Sequence, residues 1–176
     1  YCNENPGVHI NIITGNKRKL YNMLDSYELD WAIVEDSIPT KKYTSILLDT
    51  DYLCLVVSPK HKFARRKSVS LHELKQEKFI LRSRNAGTRL LFENHLLSHS
   101  ENIKNFNIVI EIDNITATKE LVASNLGVTI ISHSACKDEE ASGKLVVVPI
   151  ENLSMMRQIN IVYNNDFQHT EIFEDI

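Results

Sequence analysis

Three short stretches of this 176-residue chain carry residue types suited to holding a small anion. They are Thr14-Gly15-Asn16, Arg82-Ser83-Arg84-Asn85-Ala86-Gly87-Thr88 and Asn114-Ile115. Each follows an apolar strand pattern and opens a helical one. The first N–H groups of a helix have no intrahelical acceptor, so hydroxyl, amide or guanidinium donors beside them complete a cradle for a carboxylate or similar anion. The same residues also read as plain helix caps; Asn114 in that role contributes about 1 kcal/mol. Arg82 and Arg84 read either as charge for a ligand or as solvated, paired side chains.

Other constellations point less clearly to chemistry. His95 and His99 stand four apart on one helical pattern, the spacing of two metal ligands, but HLLSH lacks the glutamate of a zinc-protease helix and no third ligand is evident. Ser132-His133-Ser134 has a hydroxyl beside an imidazole, yet adjacent residues rarely present a nucleophile to its base, and no orienting acid can be assigned. The run Lys60-His61-Lys62-Phe63-Ala64-Arg65-Arg66-Lys67 is the one basic cluster and reads as a solvated loop. No phosphate-binding loop, nucleophile elbow or dinucleotide fingerprint is present. The sequence thus describes a binding protein with no cofactor, no metal site and no catalytic residue.

Elements that position these stretches follow from apolar periodicity. Strand patterns run over Val8–Thr14, Leu29–Glu35, Tyr52–Ser58, Phe79–Leu81, Asn107–Ile112, Val128–Ser132, Lys144–Val148 and Gln158–Tyr163. Leu20, Met23, Leu24 and Tyr27 have helical spacing, and a second helix is expected from about Thr88 to Ser98. Ser70 and Glu73 form a capping box for a short turn. The stretch Glu111–Ser132, EIDNITATKELVASNLGVTIIS, packs strand, cap, helix and strand with almost no filler; Gly127 stands where a glycine ends a helix. Alternating strands and helices predict α/β architecture with mostly parallel pairing.

Bulk composition narrows the function. Apolar residues are 43%, charged residues 24%, and the net charge is -3. That balance argues against nucleic-acid binding by this chain alone, since phosphate neutralisation needs a clustered basic excess. No run of about 18 apolar residues offers a membrane span. Three widely spaced cysteines, Cys2, Cys54 and Cys136, suit a reducing cytoplasm better than a disulfide framework. Cys54 reads as a small core residue.

The segments VHINIITGN, ELDWAIVE, YLCLVVSPKHKFARRKSVSLHELKQEKFIL, NAGTRLLFENHL and EIDNITATKELVASNLGVTIISHSACKDEEASGKLVVVPI, in this order, resemble the effector-binding domain of LysR-type transcriptional regulators. The pairing of VVSPKH with the later LGVTIIS carries most of the likeness. The resemblance implies a two-lobed, periplasmic-binding-protein type II-like α/β fold with mostly parallel sheets joined by two crossover strands. One lobe would comprise residues 1–57 and 162–176, the other 58–161, with Tyr52–Ser58 and Gln158–Tyr163 crossing between them. It implies a small effector, anionic from the donors above, in a cleft lined by Thr14, Gly15, Asn16, Ser83, Asn85, Gly87, Thr88, Asn114 and Ile115, with Arg82 and Arg84 as charge contacts. It also implies a homodimer or tetramer, a cytoplasmic location, and DNA contact only through an N-terminal helix-turn-helix absent from these residues. The family's first effector-domain strand and helix are expected to precede Tyr1. Two other classes stay open at this level: a solute-binding protein of an uptake system, which needs an export signal, and an enzyme on the same fold, which needs an acid/base pair.

Overall fold

A computed structural model describes residues 2–36 and 40–175. The ordered elements are α1 Lys17–Asp25, β1 Trp31–Glu35, β2 Tyr43–Val57, α2 Leu71–Leu74, β3 Lys78–Leu81, α3 Gly87–Ser98, β4 Asn107–Glu111, α4 Ile115–Ala123, β5 Thr129–Ser132, α5 Lys137–Ala141, β6 Val146–Val148 and β7 Met155–Asn164. They fall into two compact units, Tyr1–Asp49 with Gln158–Ile176, and Thr50–Arg157. Both boundaries lie inside a strand, β2 and β7. They fall eight and four residues before the places expected from the sequence, because each strand is longer than its apolar run. The outermost residues of the expected first lobe, Tyr1 and Ile176, are outside the described residues.

In the first unit, β1 pairs antiparallel with β7, Trp31 opposite Tyr163 and Glu35 opposite Ile159. The apolar face of α1 packs Tyr21 and Leu24 against Ala32, Val34 and Val162. The segment Val8–Thr14, expected as a strand, has no regular secondary structure and joins no sheet among the described residues. Val8, Ile10 and Ile12 are 42%, 48% and 83% exposed. Alternation supplies a strand with an apolar face, but the ladder also requires a neighbour to take its N–H and carbonyl groups.

In the second unit, period two sorts side chains into two apolar layers. Leu53, Leu55 and Val57 of β2, Phe79 and Leu81 of β3, and Ile130 of β5 enter one cluster with Phe92, Leu96 and Phe106. The intervening Cys54, Val56, Ile80 and Ile131 enter another with Val122, Cys136 and Leu145. Each fully buried Leu, Ile or Phe contributes roughly 1.5–3 kcal/mol of apolar transfer, so these strands are fixed from both faces.

The expectation of mostly parallel pairing is corrected. β2 runs antiparallel to β5 and to β6, as does β1 to β7. Among the described residues, parallel pairing joins β3 to β4, and single parallel bridges join Phe79 to Val128, just before β5, and Val69 to Ile150. The helices α3 and α4 provide the crossovers β3–α3–β4–α4–β5 that parallel strands need. The strand β2 reaches this set without such a helix and runs against it.

Gly127 also has a different role from the one expected. The left-handed residue ending α4 is Asn125, φ +59°, with Asn125 N–H donating to the Val122 carbonyl at 2.8 Å and Leu126 N–H to that of Leu121 at 3.2 Å. That is a Schellman closure with asparagine in the usual glycine place. A Cβ on Gly127 would stand 2.6 Å from the Lys78 carbonyl oxygen, so glycine is needed there for the approach of this turn to β3.

Candidate functional site

Parallel β3 and β4 end side by side, and each leads at once into a helix. At their carboxyl edge the Ile112 N–H donates to the Leu81 carbonyl at 2.9 Å, holding the loops 82–86 and 112–114 together. This is the edge at which open α/β sheets place ligands. It unites two of the three expected stretches, Arg82–Thr88 and Asn114–Ile115, within the second unit. Thr14, Gly15 and Asn16 lie in the first unit, all exposed at the start of α1.

The three helix starts differ in what their N–H groups already hold. Asn16 caps α1, accepting from Lys19 N–H at 2.9 Å. Asn114 caps α4, accepting from Ala117 N–H at 2.9 Å, while its carbonyl also accepts from the Thr118 hydroxyl at 3.0 Å. The start of α3 has no side-chain cap: its N-cap is Ala86, and Gly87 and Thr88 are its first two helical residues. The capping reading therefore describes Asn16 and Asn114, and the α3 start is the one whose N–H groups no side chain covers. Arg84 and Asn85 are exposed, Ser83 and Thr88 half-buried, beside this start, and Ile115 is half-buried as the first residue of α4.

One residue that the sequence reading passed over organises this edge. Asp113 Oδ1 accepts the Ser83 backbone N–H at 3.2 Å and the Arg82 Nε–H at 3.3 Å. The bonds from Ser83, with Arg82 behind them, hold the Asp113 carboxyl below its usual range. Arg82 is thus a paired arginine, and its partner is a carboxylate on the loop opposite. Arg89 was missed as well. It is 4% exposed and donates from Nε to Glu93 at 2.8 Å and from Nη1 to the Arg82 carbonyl at 3.1 Å; Nη1 also pairs with Glu111 at 3.1 Å. It clamps the first turn of α3 to the end of β4. Its signal in the sequence was an arginine on the apolar side of a helix, flanked by Leu90, Leu91 and Phe92.

The remaining constellations have structural partners. His99 contacts the carbonyls of His95 and Asn152, each at 2.9 Å. No group of three or more His, Cys, Asp or Glu suited to a metal occurs among the described residues. Ser132 donates to the buried Asp51, and Ser134 also reaches Asp51 at 3.0 Å; His133 turns instead to Glu140 at 2.9 Å and stacks on Tyr52. Asp51 pairs with Arg157 at 3.0 Å. Burial pushes the Asp51 carboxyl up, but bonds from Ser132, Arg157, the Tyr52 backbone and Ser134 outweigh it and hold it at about 2. In the basic cluster, Lys62 and His61 meet Glu77, Arg66 meets Glu73, and Phe63 is buried; the capping box of Ser70 and Glu73 stands as expected.

An α/β unit whose parallel strands open onto two helix starts has the kind of edge at which such folds place small ligands. Comparison with known proteins gives its family: the LysR substrate binding domain pattern matches residues 1–175, and the chain belongs to that family. A probable RuBisCO transcriptional regulator of Thalassiosira pseudonana is 26% identical over 179 residues, covering 99% of this chain and 58% of that protein. The chain spans little more than half the length of the curated relatives it matches. The regulatory domain of Synechocystis PCC6803 CcmR in complex with 2-PG has a TM-score of 0.83 at 21% identity, covering 99% of this chain and 84% of that one. The effector-binding domain of QuiR in complex with shikimate has a TM-score of 0.73 at 19% identity, over 92% and 76%. These two establish the type II periplasmic-binding-protein-like fold. Among the described residues, no helix is long and apolar enough to cross a membrane.

Proposed function

We propose that this chain senses a small carboxylate- or phosphate-bearing effector at the edge formed by Arg82–Thr88 and Asp113–Ile115. The observation that carries the reading is the convergence of Ser83 N–H and the Arg82 guanidinium on one carboxylate oxygen beside a helix start that no side chain caps. Donors arranged for the carboxylate of Asp113 are equally arranged for the carboxylate of a ligand. Ser83, Asn85, Gly87 and Thr88 contact the effector in this reading, with Asn114 and Ile115 shaping the neighbouring loop and Arg82 and Arg84 supplying charge. Thr14, Gly15 and Asn16 contact it too, on the strength of the family pattern in the sequence. The anionic 2-PG and shikimate named with the two related domains fit the same donor chemistry.

The sensor would belong to a longer, cytoplasmic transcriptional regulator that assembles as a dimer or tetramer and touches DNA through a helix-turn-helix outside these residues. The relatives' names and their greater length support this. An effector acts by binding one conformation better than another, and a tenfold preference corresponds to about 1.4 kcal/mol. Calorimetry with a panel of small carboxylates and phosphorylated carboxylates, 2-PG and shikimate among them, tests the site. Thr14→Ala combined with Ser83→Ala is expected to weaken binding of any hit while leaving the unfolding transition in place; unchanged affinity removes the site as assigned.

A further inference from the structure

Two nucleophilic groups in the second unit lie outside the residues assigned to the effector. Cys54 on β2 and Cys136, immediately before α5, are free thiols buried at 6% and 0% exposure. Their Sγ atoms are 4.0 Å apart. Each also faces a carbonyl, Cys54 that of Ile131 at 3.5 Å and Cys136 that of His133 at 3.4 Å. The residues are 82 apart in sequence, so the fold alone brings the sulfurs together.

We propose that Cys54 and Cys136 are a modification site that closes to an intramolecular disulfide when the protein meets a two-electron oxidant of the peroxide class. A disulfide needs sulfurs about 2.05 Å apart, so the pair must close by about 2 Å. Cys54 is held in a strand with both neighbours buried. The movable partner is Cys136, which precedes a five-residue helix whose Lys137, Asp138, Glu140 and Ala141 are exposed. That helix is tied down by Lys119, which pairs with Glu139 at 2.6 Å and donates to the Ala135 carbonyl at 2.9 Å. Lifting it uncovers Cys136.

The thiols are not equivalent. Cys54 lies inside β2, whereas Cys136 precedes the short exposed helix α5, so opening of that helix presents Cys136 to the oxidant first and makes it the attacking sulfur. Its thiolate takes the distal oxygen of the peroxide, the O–O bond breaks, and hydroxide leaves and is protonated to water. Cys54 then attacks the Cys136 sulfenic sulfur; the S–S bond forms, the S–O bond breaks, and the Cys54 proton leaves with the departing hydroxide as a second water. The two thiols lose two electrons and the peroxide gains them. The bond would tie β2 to the segment following β5.

The test is peroxide treatment of the chain carrying Cys2→Ser, followed by alkylation under denaturing conditions and peptide mapping. The expected result is loss of both remaining thiols, a mass decrease of two hydrogens, and a peptide joining Cys54 to Cys136 that disappears on reduction. Because this uses no core substitution, it does not depend on a cysteine variant folding. Recovery of both thiols, or Cys136 stopping at a sulfinic acid with Cys54 still free, overturns the proposal. It is independent of the effector site, so its failure leaves that reading untouched.

Discussion

Asp113 Oδ1 accepts the Ser83 backbone N–H at 3.2 Å, which joins the loop after β4 to the loop after β3 through one carboxylate oxygen. Because Asp113 is largely exposed, 61% by side chain, the contact resembles an anion resting on its donors more than a buried structural pair. Such contacts are weakly held, so a ligand carboxylate can replace this one. Asp113→Asn keeps the shape but removes the competing charge. The expected result is binding of an anionic probe about two- to fivefold tighter by calorimetry. Weaker binding would make Asp113 a residue that orients Ser83 for the ligand.

Arg89 holds the same edge from below. Its side chain is buried, and it donates to Glu93 and to the Arg82 carbonyl while pairing with Glu111. Arg89→Ala removes charge-assisted hydrogen bonds, each of about 1.5–3 kcal/mol, although exposed Glu111 and half-buried Glu93 recover water. A net loss of about 2 kcal/mol is expected in urea unfolding, together with weaker anion binding as the Arg82–Ala86 loop loosens. Unchanged stability would show that water replaces the clamp.

The elements around this edge were readable because local chemistry defines them. Ser70 with Glu73, Asn16 and Asn114 each cap a helix by a bond to a residue three positions on, and the alternation in β4 and the short apolar runs of β3 and β5 each lie within five residues. What escaped depends on partners distant in sequence. Asp113 matters because β3 and β4 are neighbours, bringing it to Ser83, thirty residues away. The first half of β2 was missed because Ile46, Leu47 and Leu48 are all exposed, so no inward and outward faces mark the strand. Val8–Thr14 shows the converse, a clear alternation with no ladder. The site residues were legible as types at helix starts; that Arg82 already has a carboxylate partner was not.

Gly127 sets the distance between α4 and β3. Gly127→Ala places a methyl 2.6 Å from the Lys78 carbonyl oxygen, which is backbone and cannot swing aside. Overpacking of this kind costs about 1–3 kcal/mol, and the loss should appear in thermal unfolding. Asn125→Gly, at φ +59°, relieves the left-handed strain and is expected to be neutral or to stabilise by up to about 1 kcal/mol. A harmless Gly127→Ala with a damaging Asn125→Gly would reverse the roles assigned to the two positions.

Asp51 makes the second unit sensitive to acid. It is 6% exposed, bonded by Ser132 and Ser134 and paired with Arg157 at 3.0 Å. Its carboxyl stands at about 2 against an ordinary 3.8. The native state therefore binds this proton less readily than the unfolded chain does. The resulting stabilisation, about 2 kcal/mol, is complete above pH 3.8 and drains away as the pH falls towards and through about 2. Denaturant midpoints measured from pH 5 to pH 2 should fall along this course. In Asp51→Asn the stability is lower at pH 7, because Arg157 stays buried without that carboxylate, and the slope between pH 4 and pH 2 is shallower. An unaltered slope in the variant would assign the acid sensitivity to other carboxylates, with the exposed pair at Asp113 the first to examine.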